Sequence, residues 1–84
     1  MNYQGALIEP QGKYEGDFKN GLKHGKGLYS FKNGTKYKGD YCEGKREGSG
    51  IVFHANDSIA YDGEIRDGLP HGKGYVFDAN GKKE

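Results

Sequence analysis

Tyr14-Glu15-Gly16-Asp17-Phe18-Lys19-Asn20-Gly21-Leu22-Lys23-His24-Gly25-Lys26-Gly27 decides the fold, because its spacing returns twice. Residues 37–50 read Tyr-Lys-Gly-Asp-Tyr-Cys-Glu-Gly-Lys-Arg-Glu-Gly-Ser-Gly, and residues 61–74 read Tyr-Asp-Gly-Glu-Ile-Arg-Asp-Gly-Leu-Pro-His-Gly-Lys-Gly. All three fit Tyr-x-Gly-x-Φ-x-x-Gly-x-x-x-Gly-x-Gly, where Φ is aromatic or aliphatic. The tyrosines Tyr14, Tyr37 and Tyr61 lie 23 and 24 residues apart. A fixed period of that size marks an array of stacked structural units.

Each unit reads as a β-hairpin. Tyr14 to Phe18 alternates large and charged residues around a glycine, which is the period of a strand. Asn20-Gly21, Glu43-Gly44 and Asp67-Gly68 carry turn chemistry, in which glycine supplies positive φ. The second strand runs from about Gly25 to Phe31, and Lys32-Asn33-Gly34 turns the chain into the next Tyr-x-Gly strand. Ala55-Asn56-Asp57 and Ala79-Asn80-Gly81 hold the corresponding place. Ser58-Ile59-Ala60 contains one residue more than its counterparts, which predicts a bulge or a longer loop. Gly5 to Gly12 keeps the interval of Gly27 to Gly34, so the chain opens with a half repeat in which Tyr3 replaces a glycine. This half repeat is either a cap or the edge of a longer array. No stretch has the apolar spacing of a helix. The sequence therefore predicts an all-β, single-layer antiparallel sheet of about seven strands in meander order. It forms one domain over 1–84, with a half repeat at 1–13 and repeats at 14–36, 37–60 and 61–84.

The pattern carried by Tyr14, Gly16, Phe18, Gly21, Gly25, Gly27 and their two sets of equivalents resembles the MORN repeat (membrane occupation and recognition nexus). The resemblance covers nearly the whole chain. It implies a module that binds or organises other molecules: such arrays occur in scaffolding proteins, beside catalytic domains, and in proteins proposed to bind phospholipid.

Composition agrees with an array. Only 32% of the 84 residues are hydrophobic and 16 are glycine, which is thin material for a globular core; the apolar mass sits in seven tyrosines and four phenylalanines. A stack in which each unit buries surface only against its neighbours tolerates that balance. Thirteen basic residues against twelve acidic ones give no steer toward nucleic acid. The single Cys42 cannot form an internal disulfide and reads as an unreactive thiol. Without a leader, an apolar run of spanning length or a lipidation motif, the default expectation is a cytoplasmic protein, with membrane or cytoskeletal association left open.

Alternation divides the side chains between two faces. Tyr14, Phe18, Tyr37, Tyr41 and Tyr61, with Tyr29 and Phe31, are expected to tile one face, their rings lying flat over glycines that offer no side chain to obstruct them. The other face shows charge on each first strand: Glu15 and Asp17, Lys38 and Asp40, Asp62 and Glu64. On the second strands it shows apolar residues, among them Ile51, Phe53, Tyr75 and Phe77, where the repeat favours polar ones. One sheet layer cannot bury both faces, so one of them is expected to meet a partner or a second copy.

The chemical candidates are few. Gly-x-Gly leads into no helix and is read as strand packing, not as a phosphate loop. His24 and His71 are too sparse to ligate a metal, and the ladder Asp17, Asp40, Glu64 is read as a solvated face. No enzyme, cofactor or metal is expected. The expected role is a non-catalytic protein-binding or scaffold module, as part of a larger assembly, that docks a partner segment or a second copy on the sheet surface or edge. Tyr14, Phe18, Tyr29, Phe31, Tyr37, Tyr41, Tyr61, Ile51, Phe53, Tyr75 and Phe77 are its candidate contacts. The alternative is peripheral binding of anionic phospholipid through basic hairpin turns, with Lys19, Lys23, Lys45, Arg46, Arg66 and Lys73 as the headgroup contacts.

Overall fold

Alternating residues punctuated by paired turn residues give seven antiparallel strands in the computed structural model, which describes residues 2–83: β1 (Asn2–Glu9), β2 (Gly12–Lys19), β3 (Leu22–Phe31), β4 (Lys36–Cys42), β5 (Lys45–Phe53), β6 (Ile59–Arg66) and β7 (Leu69–Val76). The strands lie in one sheet in chain order. The expectations for Met1 and Glu84 lie outside the described residues.

The turns explain why each strand pairs with the next. Within the repeats, β2–β3, β4–β5 and β6–β7 are joined by two residues that both hold positive φ, for example Glu43 at 49° and Gly44 at 87°. That conformation matches the right-handed twist of the flanking strands, and glycine in its second place avoids the Cβ penalty. Between repeats the turns are wider. Phe31 N–H donates to the Thr35 carbonyl and Gly34 N–H to the Phe31 carbonyl, at 2.9 and 3.1 Å. The Asn33 side chain closes this turn by accepting from Thr35 N–H at 3.0 Å, and Asn56 does the same for Ser58 at 3.0 Å. The extra residue of the second unit is Ala60, a bulge between the Val52–Tyr61 and Phe53–Ile59 pairs. The strands run longer than the sequence reading gave them, because Gly12, Lys13 and Lys19 also pair across to β3.

Register brings one glycine from every strand into line. Gly5, Gly16, Gly27, Gly39, Gly50, Gly63 and Gly74 face one another in unbroken succession. At about 4.8 Å per strand the row is roughly 29 Å long. On one side of the sheet, tyrosine rings lie on this row. A Cβ added at Gly27, Gly50 or Gly74 would fall inside the ring of Tyr14, Tyr37 or Tyr61 respectively. Each of those hydroxyls then donates to the backbone carbonyl three residues on, Tyr14 to Asp17 at 2.6 Å, Tyr37 to Asp40 at 2.8 Å and Tyr61 to Glu64 at 2.7 Å. Those carbonyls belong to β-bulges, one per hairpin, where pairing shifts between Gly16 and Phe18, Gly39 and Tyr41, and Gly63 and Ile65.

The tyrosine face is the core. Tyr14 and Tyr37 are wholly buried, and Phe18, Tyr29, Tyr41, Tyr61 and Ile65 nearly so. Tyr14 meets Tyr41 edge-on at 4.9 Å between ring centroids and Phe18 at 5.1 Å, and Tyr37 meets Tyr41 at 5.5 Å. These perpendicular contacts fit the ring quadrupole and link one repeat to the next. Ile65 fills the Φ position of the third repeat. At the first edge, Tyr3 stacks on Phe18 at 5.2 Å and covers the end of the row.

Two expectations follow. Gly50→Val forces a branched side chain into the Tyr37 ring and costs at least about 3 kcal/mol in urea unfolding, whereas Lys45→Val on the exposed turn changes stability by about 0.5 kcal/mol or less. Gly39→Val is equally severe for a different reason: its Cβ would stand 2.5 Å from the Ser49 carbonyl and 2.6 Å from the Gly50 Cα, backbone atoms that cannot give way, and 2.9 Å from the Tyr37 hydroxyl. The second expectation concerns alkali. Burial, with the Glu9 carboxylate for Tyr29 and Asp40 for Tyr37, pushes both phenols up to about 12. Burial likewise raises Tyr14 and Tyr41. Their folded values lie above the unfolded value near 10, so this stabilisation is complete below pH 10 and is lost as pH climbs toward 12. Tyrosinate absorbance and circular dichroism are expected to change together in that window, and Tyr37→Phe shifts the transition.

Candidate functional site

The side of the glycine row away from the rings is bare. The backbone of the row forms the floor of a trough running across the strands, about 30 Å end to end. One wall is the aligned row Ala6, Glu15, Leu28, Lys38, Ile51, Asp62 and Tyr75. Apolar residues on β1, β3, β5 and β7 alternate there with negative, positive and negative charge on β2, β4 and β6. The central part, about 670 Å³, has Gly27, Gly39 and Gly50 beneath, Leu28, Ile51 and Phe53 as its apolar surface, and Glu15, Lys26, Lys38 and Asp62 at its margins.

The opposite wall is shaped by the bulges. There the Asp17 carboxylate accepts from Lys26 N–H at 3.2 Å, Asp40 from Ser49 N–H at 3.1 Å and Glu64 from Lys73 N–H at 2.6 Å. The ladder Asp17, Asp40, Glu64, expected as a solvated face, therefore consists of bulge caps. A bulge frees a backbone N–H from the ladder, and an acidic side chain on the facing strand meets it. Gly25, Gly48 and Gly72 hold positive φ beneath these carboxylates, where a Cβ would collide with them. Asp40 also binds the Lys26 ammonium, which holds its carboxyl below the usual carboxylate range.

The tyrosine face carries two cations that the sequence reading placed at the turn edge. The Lys23 ammonium lies 5.8 Å from the Tyr14 ring centroid and 5.7 Å from that of Tyr29. The Arg46 guanidinium lies 5.6 Å from both Phe31 and Tyr37. They are equivalent positions, two residues before a Gly-x-Gly, and strand alternation turns them inward over the rings they cover. Lys45 pairs with Asp67 at 3.8 Å. Of the six basic residues expected at a headgroup surface, Lys19, Arg66 and Lys73 stand exposed without an ion pair among the described residues. The repeat offset that aligns Lys23 with Arg46 was visible in the sequence; their inward orientation was the missed signal.

The eleven expected contact residues thus divide. Tyr14, Phe18, Tyr29, Tyr37, Tyr41 and Tyr61 are core residues with almost no surface left for a partner, because the rings pack on one another and on glycine; they are corrected from contacts to core. Phe31 is packed against that core and partly open. Ile51 and Phe53 come together in the trough, and Leu28, which was not singled out, joins them. Phe77 is half-buried beyond the end of β7, and Tyr75 is 56% exposed on it, with the Lys83 ammonium 4.4 Å above its ring. Among the described residues no three His, Cys, Asp or Glu side chains gather as a metal site, and no helix is long and apolar enough to cross a membrane.

Comparison with curated proteins returned no match. The MORN repeat family model matches residues 14–36, 37–57 and 61–83, which together make up most of the chain. The ring-on-glycine contact and the capped bulge recur in each of those three segments. The chain belongs to the MORN-repeat family, whose repeats serve in binding proteins or membranes.

Proposed function

We propose that this protein is a non-catalytic protein-binding module that holds a segment of another chain in the glycine-floored trough. The observation that carries this reading is the trough itself: an open apolar channel of about 670 Å³ around Leu28, Ile51 and Phe53, on the face the rings leave bare. A partner segment would present apolar side chains about 10 Å apart, the width of two strands, to meet Leu28 and Ile51. Between them it would carry an acidic group against Lys38, and on either side basic groups against Glu15 and Asp62. A second copy centred on the trough fits this wall poorly. A two-fold axis over β4 would set Lys38 against itself and Glu15 against Asp62, and like charges in contact cost several kcal/mol.

Orientation of the basic residues supports protein over lipid. Lys23 and Arg46 lie over rings, and Lys26 and Lys45 are paired with carboxylates. Affinity capture with the intact chain, compared with Ile51→Glu/Phe53→Glu, tests the reading. The double variant is expected to keep its circular dichroism and thermal midpoint, since the tyrosine face is untouched, and to lose the protein captured by the parent. Equal capture by both would place the interaction elsewhere. Flotation of the parent with phosphatidylserine vesicles at physiological salt, persisting in the double variant, would favour membrane binding instead.

A further inference from the structure

The first two repeats handle the same cation in opposite ways. In the first, the Lys23 ammonium pairs with the Glu9 carboxylate at 3.0 Å, and the Tyr29 hydroxyl donates to the same oxygen at 2.8 Å. These two donors hold the Glu9 carboxyl below its ordinary range. One repeat on, Arg46 occupies the place of Lys23, but Phe31 occupies the place of Glu9. The Arg46 side chain, half-buried, makes no hydrogen bond or ion pair among the described residues; its guanidinium lies over the Phe31 and Tyr37 rings and beside Gly68. A guanidinium has five N–H donors in a rigid fork suited to a carboxylate. Its nitrogens stay open to solvent, where an incoming acceptor can reach them.

The space for that acceptor is open. A hollow of about 460 Å³ on the tyrosine face is lined by Arg46, Tyr41, Phe31, Gln11 and Lys45, with Asp67 at its rim. Tyr41 is the strand partner of Arg46, and its hydroxyl makes no hydrogen bond among the described residues. Lys23, which also lines the hollow, is paired with Glu9, and Lys45 with Asp67, so Arg46 leaves one positive charge uncompensated there.

We propose that this hollow is an anion site that takes a carboxylate side chain from an acidic peptide segment. The Arg46 fork donates to it, as Lys23 does to Glu9, and the Tyr41 hydroxyl donates from the side. One uncompensated charge matches a monoanionic carboxylate better than a dianionic phosphate, and the partly open Phe31 ring matches the carbon chain that carries it. The site lies on the opposite face from the trough and is independent of the function proposed above.

The test is an NMR titration of the intact protein with acetyl-Gly-Phe-Glu-Gly-amide and its Gln counterpart, read at the Arg46 Nε–H and the Gly68 amide. The Glu peptide is expected to give a saturable shift, and the Gln peptide to bind at least about tenfold more weakly. Phe31→Glu rebuilds the internal carboxylate of the first repeat against Arg46 and is expected to remove the response while the amide spectrum of the other strands persists. Arg46→Met removes it too, and serves in its place if Phe31→Glu does not fold. Ile51→Glu/Phe53→Glu leaves it unchanged. The proposal is overturned by equal binding of the two peptides, by no saturable shift, or by a response that survives both Phe31→Glu and Arg46→Met. Tighter binding of inorganic phosphate, or of phosphatidylserine vesicles in a manner abolished by Phe31→Glu, overturns the carboxylate assignment.

Discussion

A tyrosine ring resting on a glycine of the neighbouring strand is the contact on which this molecule depends. A single sheet has no second layer to supply a core, so its apolar mass must pack against its own backbone. Glycine makes that possible, since the ring comes to within van der Waals reach of the strand only where Cβ is missing. The hydroxyl then ties the ring to a bulge carbonyl, and that fixes both position and tilt. Every other feature is arranged around these contacts: the perpendicular rings that join repeats, the cations lying over them, and the turns that keep the strands in register. Glycine weakens an ordinary strand, and here its loss of side-chain packing is offset by the ring it admits.

The same contact sorts the two faces by role. The side that holds the rings is stabilised internally and has little surface to give except at the Arg46 hollow. The other side shares the same backbone line yet carries nothing over it, so the line that packs the core on one face is the trough floor on the other. Stability and binding are thus assigned to opposite sides of one backbone line. Substitutions on the apolar wall at Leu28 and Ile51 are separable from folding for that reason, while substitutions in the glycine row or at the bulge-capping carboxylates are not.

Much of this architecture could be read in the sequence. Seven strands, their order, the turn residues and the tyrosine face all follow from offsets repeated three times, because spacing along the chain maps directly onto a meander. The Ala60 bulge was legible as a surplus residue. The bulges at Asp17, Asp40 and Glu64 were not, since they leave the repeat length unchanged and show only in the pairing between strands. Their carboxylates therefore read as solvent-facing charge when they are backbone caps. Lys23 and Arg46 were misplaced for a related reason: proximity to a turn suggested exposure, whereas the strand begins at Leu22 and Lys45 and alternation already applies to them. The tyrosines were placed on the right face but assigned to contact, because a sequence does not say how tightly one sheet can curl rings against itself.

The aligned glycines also give the sheet an uneven compliance. Seven residues without side chains form a crease across all the strands, and bending about it toward the bare side compresses no side chain along that line. Bending the other way drives the rings into the backbone. The sheet is therefore soft in one sense and stiff in the opposite one, and the ladder hydrogen bonds, which run along the crease, survive the motion. The trough can accordingly narrow around a slender segment, whereas widening it for a bulkier one presses the rings into the backbone.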